Sequence, residues 1–447
     1  MNETIAAIAT AHGVASISII RLSGPEACTI ARRIAPTATL TPRMAELRDL
    51  LDAQGRLIDR GLVLYFQAPR SFTGEEVVEF QAHGGLVVAE QILESALHHG
   101  ARLAEPGEFS KRAFLNGKID LSEAEAIARL IEAKSVDAAR ILARQLKGEL
   151  GRFVEESREA LLRAMAHAEV LIDYAEEELP EALMEGLRTQ LLELERHLQH
   201  LVESSRRRRG LIEGFRVAIV GKPNVGKSSL LNALLSYERA IVTEVAGTTR
   251  DTIEEQVRIG SHIVRLIDTA GIRETEDRVE RIGVERSLHS LEEADIVIAL
   301  FDASRPWDEE DAAILERVRA LAGEKELIVA LNKSDLPRRL EGEPLADLSP
   351  LTISAHGDFR PLLEALGARL DALAGEEELM LASARQIEAV ERCAGEIAQA
   401  LEPLERGELE LFSYHLREAV QAIGSLTRPF ESEQILDRMF GEFCLGK

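Results

Sequence analysis

The sequence predicts a multidomain α/β chain: an N-terminal α+β domain, a discontinuous helical domain, and an inserted domain with a mostly parallel sheet. Three observations predict it. Residues 211 to about 375 alternate strand-like and helix-like segments, the pattern of a mostly parallel sheet covered on both faces. Apolar residues recur at three- and four-residue spacing on both sides of that stretch, from Leu121 onward and again beyond Gly375. Domain termini usually lie close together, so an α/β unit between two helical segments reads as an insertion.

A chain of 447 residues exceeds what one hydrophobic core usually organises, and 45% hydrophobic content is ample for several. The formal net charge of −24 excludes a chain coated in positive charge, so nucleic acid would be met only through a local basic patch. Cys28, Cys393 and Cys444 form no C-x-x-C pair, which supports neither a disulfide framework nor a zinc site and fits a reducing compartment. The N-terminus lacks a basic n-region, and no apolar run approaches the roughly 18 residues of a membrane span. The expectation is a soluble, cytoplasmic protein with no membrane partner.

Residues 1–118 form the predicted α+β domain. Val14 to Leu22 alternates like a strand and runs into Ser23-Gly24-Pro25-Glu26, a helix-start signature. Gly61 to Phe66 and Val77 to Phe80 read as further strands, and Leu86 to about His99 as a helix. On pattern alone Arg21, Glu79 and Lys118 read first as ordinary surface or edge charges.

Residues 119–209 form the first helical part and 376–447 the second. Ser122 is placed as an N-cap, followed by an apolar stripe through Ile127, Leu130, Ile131, Ala138, Ile141, Leu142 and Leu146. Further helical patterns run from Phe153 to Leu171, Leu187 to Val202, Gln386 to Leu401 and Leu409 to Ile423. Arg206-Arg207-Arg208-Arg209 reads as a solvated helix C-terminus that suits the helix dipole, or alternatively as a nucleic-acid or phosphate contact.

The chemistry concentrates in residues 210–375. Gly221-Lys222-Pro223-Asn224-Val225-Gly226-Lys227-Ser228 fits G-x-x-x-x-G-K-[ST], between a β-branched strand at Val217 to Val220 and a helix opening at Ser229. Glycines let successive amides close around a polyphosphate, Lys227 reaches the outer phosphates, and the Ser228 hydroxyl is suited to Mg²⁺. Ile263 to Ile267 leads into Asp268-Thr269-Ala270-Gly271, a carboxylate for the metal's hydration shell and a glycine for approach to the γ-phosphate. Leu327 to Leu331 ends in Asn332-Lys333-Ser334-Asp335, where a buried Asp335 accepts from both guanine donors and leaves adenine unmatched. Ile353-Ser354-Ala355 fits the loop that reads the guanine carbonyl. In order and each at a strand end, these motifs predict a Ras-like P-loop GTPase domain. Thr249, in Ala246-Gly247-Thr248-Thr249-Arg250-Asp251, is the expected second hydroxyl on Mg²⁺. Ile272 stands where Ras-like proteins carry a water-orienting Gln, so charge and orientation must come from elsewhere.

Beyond these motifs, Ser71-Phe72-Thr73-Gly74-Glu75, His83-Gly84-Gly85, Pro106-Gly107-Glu108-Phe109, Asn116-Gly117-Lys118-Ile119-Asp120-Leu121 and the terminal Cys444-Leu445-Gly446-Lys447 resemble the tRNA-modification GTPase family MnmE, also called TrmE, over essentially the whole chain. The resemblance implies a homodimer formed through folate-binding N-terminal domains, with Arg21, Glu79, Lys118 and Lys447 contacting a formyl-tetrahydrofolate. It implies GTP bound by Asn224, Val225, Gly226, Lys227, Ser228, Ser229, Thr243, Thr249, Asp268, Thr269, Ala270, Gly271, Asn332, Lys333, Asp335, Ser354 and Ala355. It implies K⁺ held by oxygens of Asn224, Thr243, Val245 and Thr248, and catalysis by Glu280 together with Asn224, Lys227 and Thr249. The family works on tRNA with a flavin-dependent partner, MnmG, to place an aminomethyl or carboxymethylaminomethyl group at carbon 5 of the wobble uridine. Cys444 is either a participant in that one-carbon chemistry or a packing residue.

Two other classes fit part of the chain. A ribosome-assembly GTPase of the Era or Der type accounts for the central domain and the arginine run, but not for the N-terminal domain or the tail. A dynamin-like machine on a helical stalk lacks a membrane-binding amphipathic stretch.

Overall fold

The computed structural model describes residues 3–11, 13–173, 181–237, 255–267, 293–321, 325–341, 344–375, 379–428, 436, 439–441, 443 and 446. These fall into two compact units: Met1–Glu132, Ala143–Glu195 and Arg392–Lys447 form one, and Ala133–Leu142 with Arg196–Glu391 form the other.

The first unit opens with a six-stranded sheet of β1 (Ile5–Ile8), β2 (Ile17–Ser23), β3 (Glu46–Leu51), β4 (Leu57–Phe66), β5 (Val77–His83) and β6 (Arg102–Leu103). Their order is β3-β4-β5-β2-β1-β6, antiparallel throughout except for the parallel β1/β6 pair. The strand alternation works as the period of two requires. Ile20, Leu22, Val63, Val78 and Phe80 point one way, and the helices Ala27–Ile34 and Leu86–His98 cover them with Ile30, Ala31, Ile34, Ala89 and Ile92. Fully burying Ile20 or Phe80 contributes about 1.5–3 kcal/mol each.

The opposite face carries Ile19, Gln81, Leu62 and Leu47 in one cross-strand row, and Arg21, Glu79 and Leu64 in the next. Leu47 and Leu62 are exposed there. The helix Glu108–Leu115 sits over the β1 end of this face, placing Phe109 on Ile5 and Ala7.

The helical elements are Leu121–Glu132, Val136–Leu146, Glu149–Asp173, Glu181–Arg207, Ala384–Arg406 and Leu409–Gly424. Two features differ from the sequence reading. Ser122 is not the N-cap; Asp120 is, because its Oδ1 accepts the Glu123 N–H at 2.8 Å while Glu123 Oε2 accepts the Asp120 N–H at 2.8 Å, a reciprocal capping box. Ser122 sits in the first turn and donates to Asp120 Oδ1. The stripe from Ile127 to Leu146 is two helices rather than one, because Ser135 restarts the helix by accepting the Ala138 N–H at 3.0 Å. The helix Leu409–Gly424 packs along Glu149–Asp173. Phe440 packs on Leu121 and Ala124 of the helix Leu121–Glu132, and Gly446 (φ +92°) lies against the first sheet, where a Cβ would meet the Ile8 carbonyl oxygen at 2.4 Å.

In the second unit, β7 (Phe215–Val220), β8 (Glu255–Ile259), β9 (His262–Ile267), β10 (Ile296–Asp302), β11 (Glu326–Asn332) and β12 (Leu351–Thr352) order as β12-β11-β10-β7-β9-β8. All pairs are parallel except the β8/β9 hairpin. Ile298 and Leu300 face Leu230 of the helix Lys227–Tyr237 and Leu366 of the helix Arg360–Ala374, whereas Ala299 and Phe301 face Val318 of the helix Glu309–Leu321. Burial on both faces explains why these strands read as near-continuous apolar runs. Residues 133–142 join this unit: Ser135 Oγ donates to Leu211 O at 3.1 Å, Lys134 Nζ to Gln256 Oε1 at 2.8 Å, and Ile141 packs on its core.

Candidate functional site

Strand β7 delivers the chain into a turn that only particular residues can make. At Gly221 a Cβ would lie 2.3 Å from Leu300 O, and at Gly226 (φ +104°) it would lie 2.2 Å from Asn332 Nδ2, so neither position admits a side chain. Between them Asn224 takes φ +64°. Lys227, opening the helix Lys227–Tyr237, folds its Nζ back to donate to Gly221 O at 2.7 Å and Lys222 O at 2.8 Å. Ser228 is exposed in the first helical turn and Ser229 is half-buried behind it. This is a cradle of amides at a helix N-terminus, with a cation on its rim, and its chemistry suits a polyphosphate.

Two further strand ends close on the cradle. Asn332, ending β11 and 2% exposed, donates Nδ2 to Val225 O at 2.8 Å and accepts the Ala355 N–H on Oδ1 at 3.0 Å. It ties the phosphate loop to Ser354-Ala355. Lys333, at φ +64°, donates Nζ to Asn224 O at 2.7 Å and to Asp302 Oδ2 at 2.7 Å. Asp335 accepts the Ser354 hydroxyl at 2.6 Å, and that bond, with the nearby His356 and Lys333 charges, holds its carboxyl below the ordinary range. Asp335 is exposed, because it stands on the loop beyond β11. A carboxylate kept ionised at an open rim is a double acceptor waiting for a paired donor.

Sequence reasoning missed the acidic groups around the cradle. Asp302, ending β10 with its side chain 7% exposed, accepts Lys333 Nζ, the Ser304 N–H at 2.9 Å and the Ser304 hydroxyl at 2.6 Å. Lys222 Nζ is bonded to Asp308 and to Asp311 Oδ2 at 3.0 Å. Burial opposes the Lys222 charge, but these carboxylates outweigh it and raise its pKa. The only local signal was an aspartate at a strand end in Phe301-Asp302-Ala303-Ser304.

In the first unit, the predicted trio is partly assembled. Register places Arg21 directly opposite Glu79 across β2/β5, and Arg21 Nε donates to Glu79 Oε1 at 2.8 Å. The guanidinium carbon lies 5.7 Å from the Phe109 ring centroid and 5.9 Å from that of Phe72. Lys118 is exposed, with its stem beside Gly74. Behind this lies a buried network in which Arg112, 2% exposed, donates to Glu75, Glu108 and Glu3 O, while Glu75 also accepts from Ser23. Of the arginine run after Val202, Arg208 is buried, while Arg206 and Arg209 are exposed and paired, with Glu391 at 2.7 Å and with Glu213 at 2.7 Å.

Thr243, Val245, Thr248, Thr249, Asp268, Thr269, Ala270, Gly271, Ile272, Glu280, Cys444 and Lys447 lie outside the described residues. Among the described residues, no helix is long and apolar enough to cross a membrane.

Comparison with known proteins covers the chain from end to end. Residues 4–118 match the family model "GTP-binding protein TrmE N-terminus" and residues 121–444 match "MnmE helical domain". A tRNA modification GTPase MnmE from Sulfurovum sp. is 63% identical over 100% of this chain and 99% of its own length. Its namesakes from Nitratiruptor sp. and Sulfurimonas denitrificans are 58% and 54% identical, over 100% of this chain and 99% and 100% of theirs. Relatives collinear through the N-terminal domain and the tail exclude a central GTPase domain shared alone with Era or Der. With both family models matched and relatives collinear from end to end, the chain belongs to the MnmE family of tRNA modification GTPases.

Proposed function

We propose that this chain hydrolyses GTP in the service of tRNA modification, and that with a flavin-dependent MnmG partner it installs an aminomethyl or carboxymethylaminomethyl group at carbon 5 of the wobble uridine of certain tRNAs, in the cytoplasm. The observation that carries the reading is the closure of three loops on one cradle through Asn332, combined with relatives of that name matched over their whole length.

The residues fit the groups the reaction needs. Gly221 and Gly226 have no room for a Cβ against Leu300 O and Asn332 Nδ2, which lets the loop close on the strand ends, and Asp335 and Ser354 would take the base. Ser228, exposed in the first turn, would meet Mg²⁺, which when bound neutralises charge on the phosphate oxygens. Asn224, exposed and in a left-handed backbone conformation, would lend an oxygen to K⁺. Thr249 and Glu280 complete the proposed metal and water positions. Arg21, beside the Phe72 and Phe109 rings, and its partner Glu79 would grip a formyl-tetrahydrofolate, with Lys118 and the tail's Lys447 beside them. Gly446 supports that placement, since it lies on Ile8, whose partner Ile20 precedes Arg21.

The exposed row Leu47 and Leu62, on the same sheet face as Arg21 and Glu79 and away from the helix Glu108–Leu115, supports a homodimer formed there. We also place the domain boundaries at 118, 209 and 375, with the GTPase domain spanning 210–375. Nucleoside mass spectrometry of tRNA from a strain lacking the gene tests the reading. Loss of the modified wobble uridines is expected, and an unchanged nucleoside profile rejects it.

A further inference from the structure

The amides of a phosphate loop face an anion only if its carbonyls are turned away and kept there. Four carbonyls of this loop are each taken by a donor: Gly221 O and Lys222 O by Lys227, Asn224 O by Lys333, and Val225 O by Asn332. Two lysines in this arrangement are themselves held by carboxylates from one short stretch of chain. Lys333 is held by Asp302, whose other oxygen is fixed by the backbone and hydroxyl of Ser304. Lys222, part of the loop, is held by Asp308 and Asp311 at the start of the helix Glu309–Leu321. Asp308 in turn accepts the Asp311 N–H at 3.2 Å and the Glu310 N–H at 3.0 Å, so its carboxylate is positioned by the turn itself.

We infer that the segment from Asp302 to Asp311 is a positioning element for the phosphate loop, fastening it at two points: Asp302 through Lys333 onto the Asn224 carbonyl, and Asp308 with Asp311 onto the Lys222 side chain. None of these aspartates reaches the cradle's amides, so they act through the lysines. The side chains of Asp302 and Asp311 are 7% and 11% exposed, which limits solvent screening of both pairs. The second fastening includes Asp308, 57% exposed, and is the more salt-sensitive. This inference deepens the reading of the cradle as a guanine-nucleotide site and rests on it.

The test is fluorescence titration of the full chain with a fluorescent GDP analogue, alongside thermal unfolding. Asp302→Asn keeps shape and an acceptor for Ser304 but loses the charge that holds Lys333; it is expected to weaken binding about tenfold, the effect of roughly 1.4 kcal/mol. In a Lys333→Met background the same substitution is expected to add no further loss, since its partner is gone. The pair Asp308→Asn with Asp311→Asn is expected to weaken binding several-fold at low salt with an unchanged unfolding midpoint, and Asp311→Glu to retain most of the affinity. Additive losses of Asp302→Asn and Lys333→Met overturn the relay. Wild-type affinity in both aspartate variants overturns the inference as a whole while leaving the nucleotide site intact. A wild-type chain that binds no guanine nucleotide removes the site and this inference with it.

Discussion

Asn332 and Val225 are 107 positions apart in sequence, and the side-chain amide of the first is bonded to the carbonyl of the second at 2.8 Å. The same amide group, through its oxygen, takes the N–H of Ala355. One buried side chain therefore sets the distance between the phosphate loop and the Ser354-Ala355 loop, with Lys333 bonded to Asn224 O beside it. Replacing Asn332 with Ala strands a buried carbonyl and a buried amide, each costing about 1–3 kcal/mol. The expected outcome is a lower unfolding midpoint and GDP binding weakened by at least an order of magnitude. Calorimetric titration of Asn332→Ala showing wild-type affinity would break the link between this bond and the site.

Guanine selectivity is expected to reside in Asp335. Its carboxylate is ionised and open on the rim, held by the Ser354 hydroxyl. Asp335→Asn exchanges one acceptor for a donor, which mismatches guanine and matches xanthine's extra carbonyl. Competition binding is expected to show preference moving from GDP to XDP. Undiminished preference for GDP in the variant would place base reading on another residue.

How much of this was legible beforehand follows from how local each requirement is. The cradle was readable because Gly221, Gly226 and Lys227 answer to a demand expressed within eight residues. Asn332 was readable because it ends β11, and Asp335 because it follows within the same four-residue motif. Asp302 was not, since its meaning depends on Lys333, which reaches it only after β10 and β11 pair in parallel register. Arg21 and Glu79 passed for surface charges because the β2/β5 register that opposes them is set across an intervening helix and the β3/β4 pair. The strands Ile5–Ile8 and Glu46–Leu51 escaped notice: one is four residues long, and the other buries Glu46 where an apolar residue was expected.

That buried Glu46 makes the N-terminal sheet acid-sensitive. The Thr39 hydroxyl bonds it at 2.6 Å, burial opposes its charge, and the Thr39 and Thr41 amides with Arg48 add to the first effect, bringing its pKa from 4.5 down to about 2. A folded-state pKa below the unfolded one means the unfolded chain binds more protons in that interval, so stability rises with pH there. Glu46 therefore contributes fully above about pH 4.5, and its contribution is lost as pH falls toward 2. Glu46→Gln is expected to unfold at lower temperature at neutral pH and to show a flatter decline on acidification. Parallel curves for variant and wild type between those pH values would contradict the assignment.

Ile272 cannot orient water, so hydrolysis should need charge from a monovalent cation near Asn224. GTP turnover is expected to rise at least tenfold when K⁺ replaces Na⁺ at constant ionic strength, with Asn224→Ala removing most of the gain. Turnover indifferent to the cation would leave the missing Gln uncompensated by this route.

The Arg21–Glu79 pair separates the folate reading from the nucleotide reading. Arg21 is partly exposed at 24% and Glu79 at 12%, so the pair itself contributes little to folding, on the order of 0–1 kcal/mol. A guanidinium beside the Phe72 and Phe109 rings with one N–H committed to Glu79 still has donors for a carboxylate or a pteridine carbonyl. Arg21→Ala is expected to reduce affinity for a reduced formyl-folate by about tenfold or more, as the loss of a charge-assisted bond of about 1.5–3 kcal/mol implies. GTP turnover by the same variant should match the wild type, because Arg21 lies in the other compact unit from the cradle. Equilibrium dialysis with the folate and a phosphate-release assay read the two quantities separately. Folate affinity left intact would remove Arg21 from that site without touching the case for GTP.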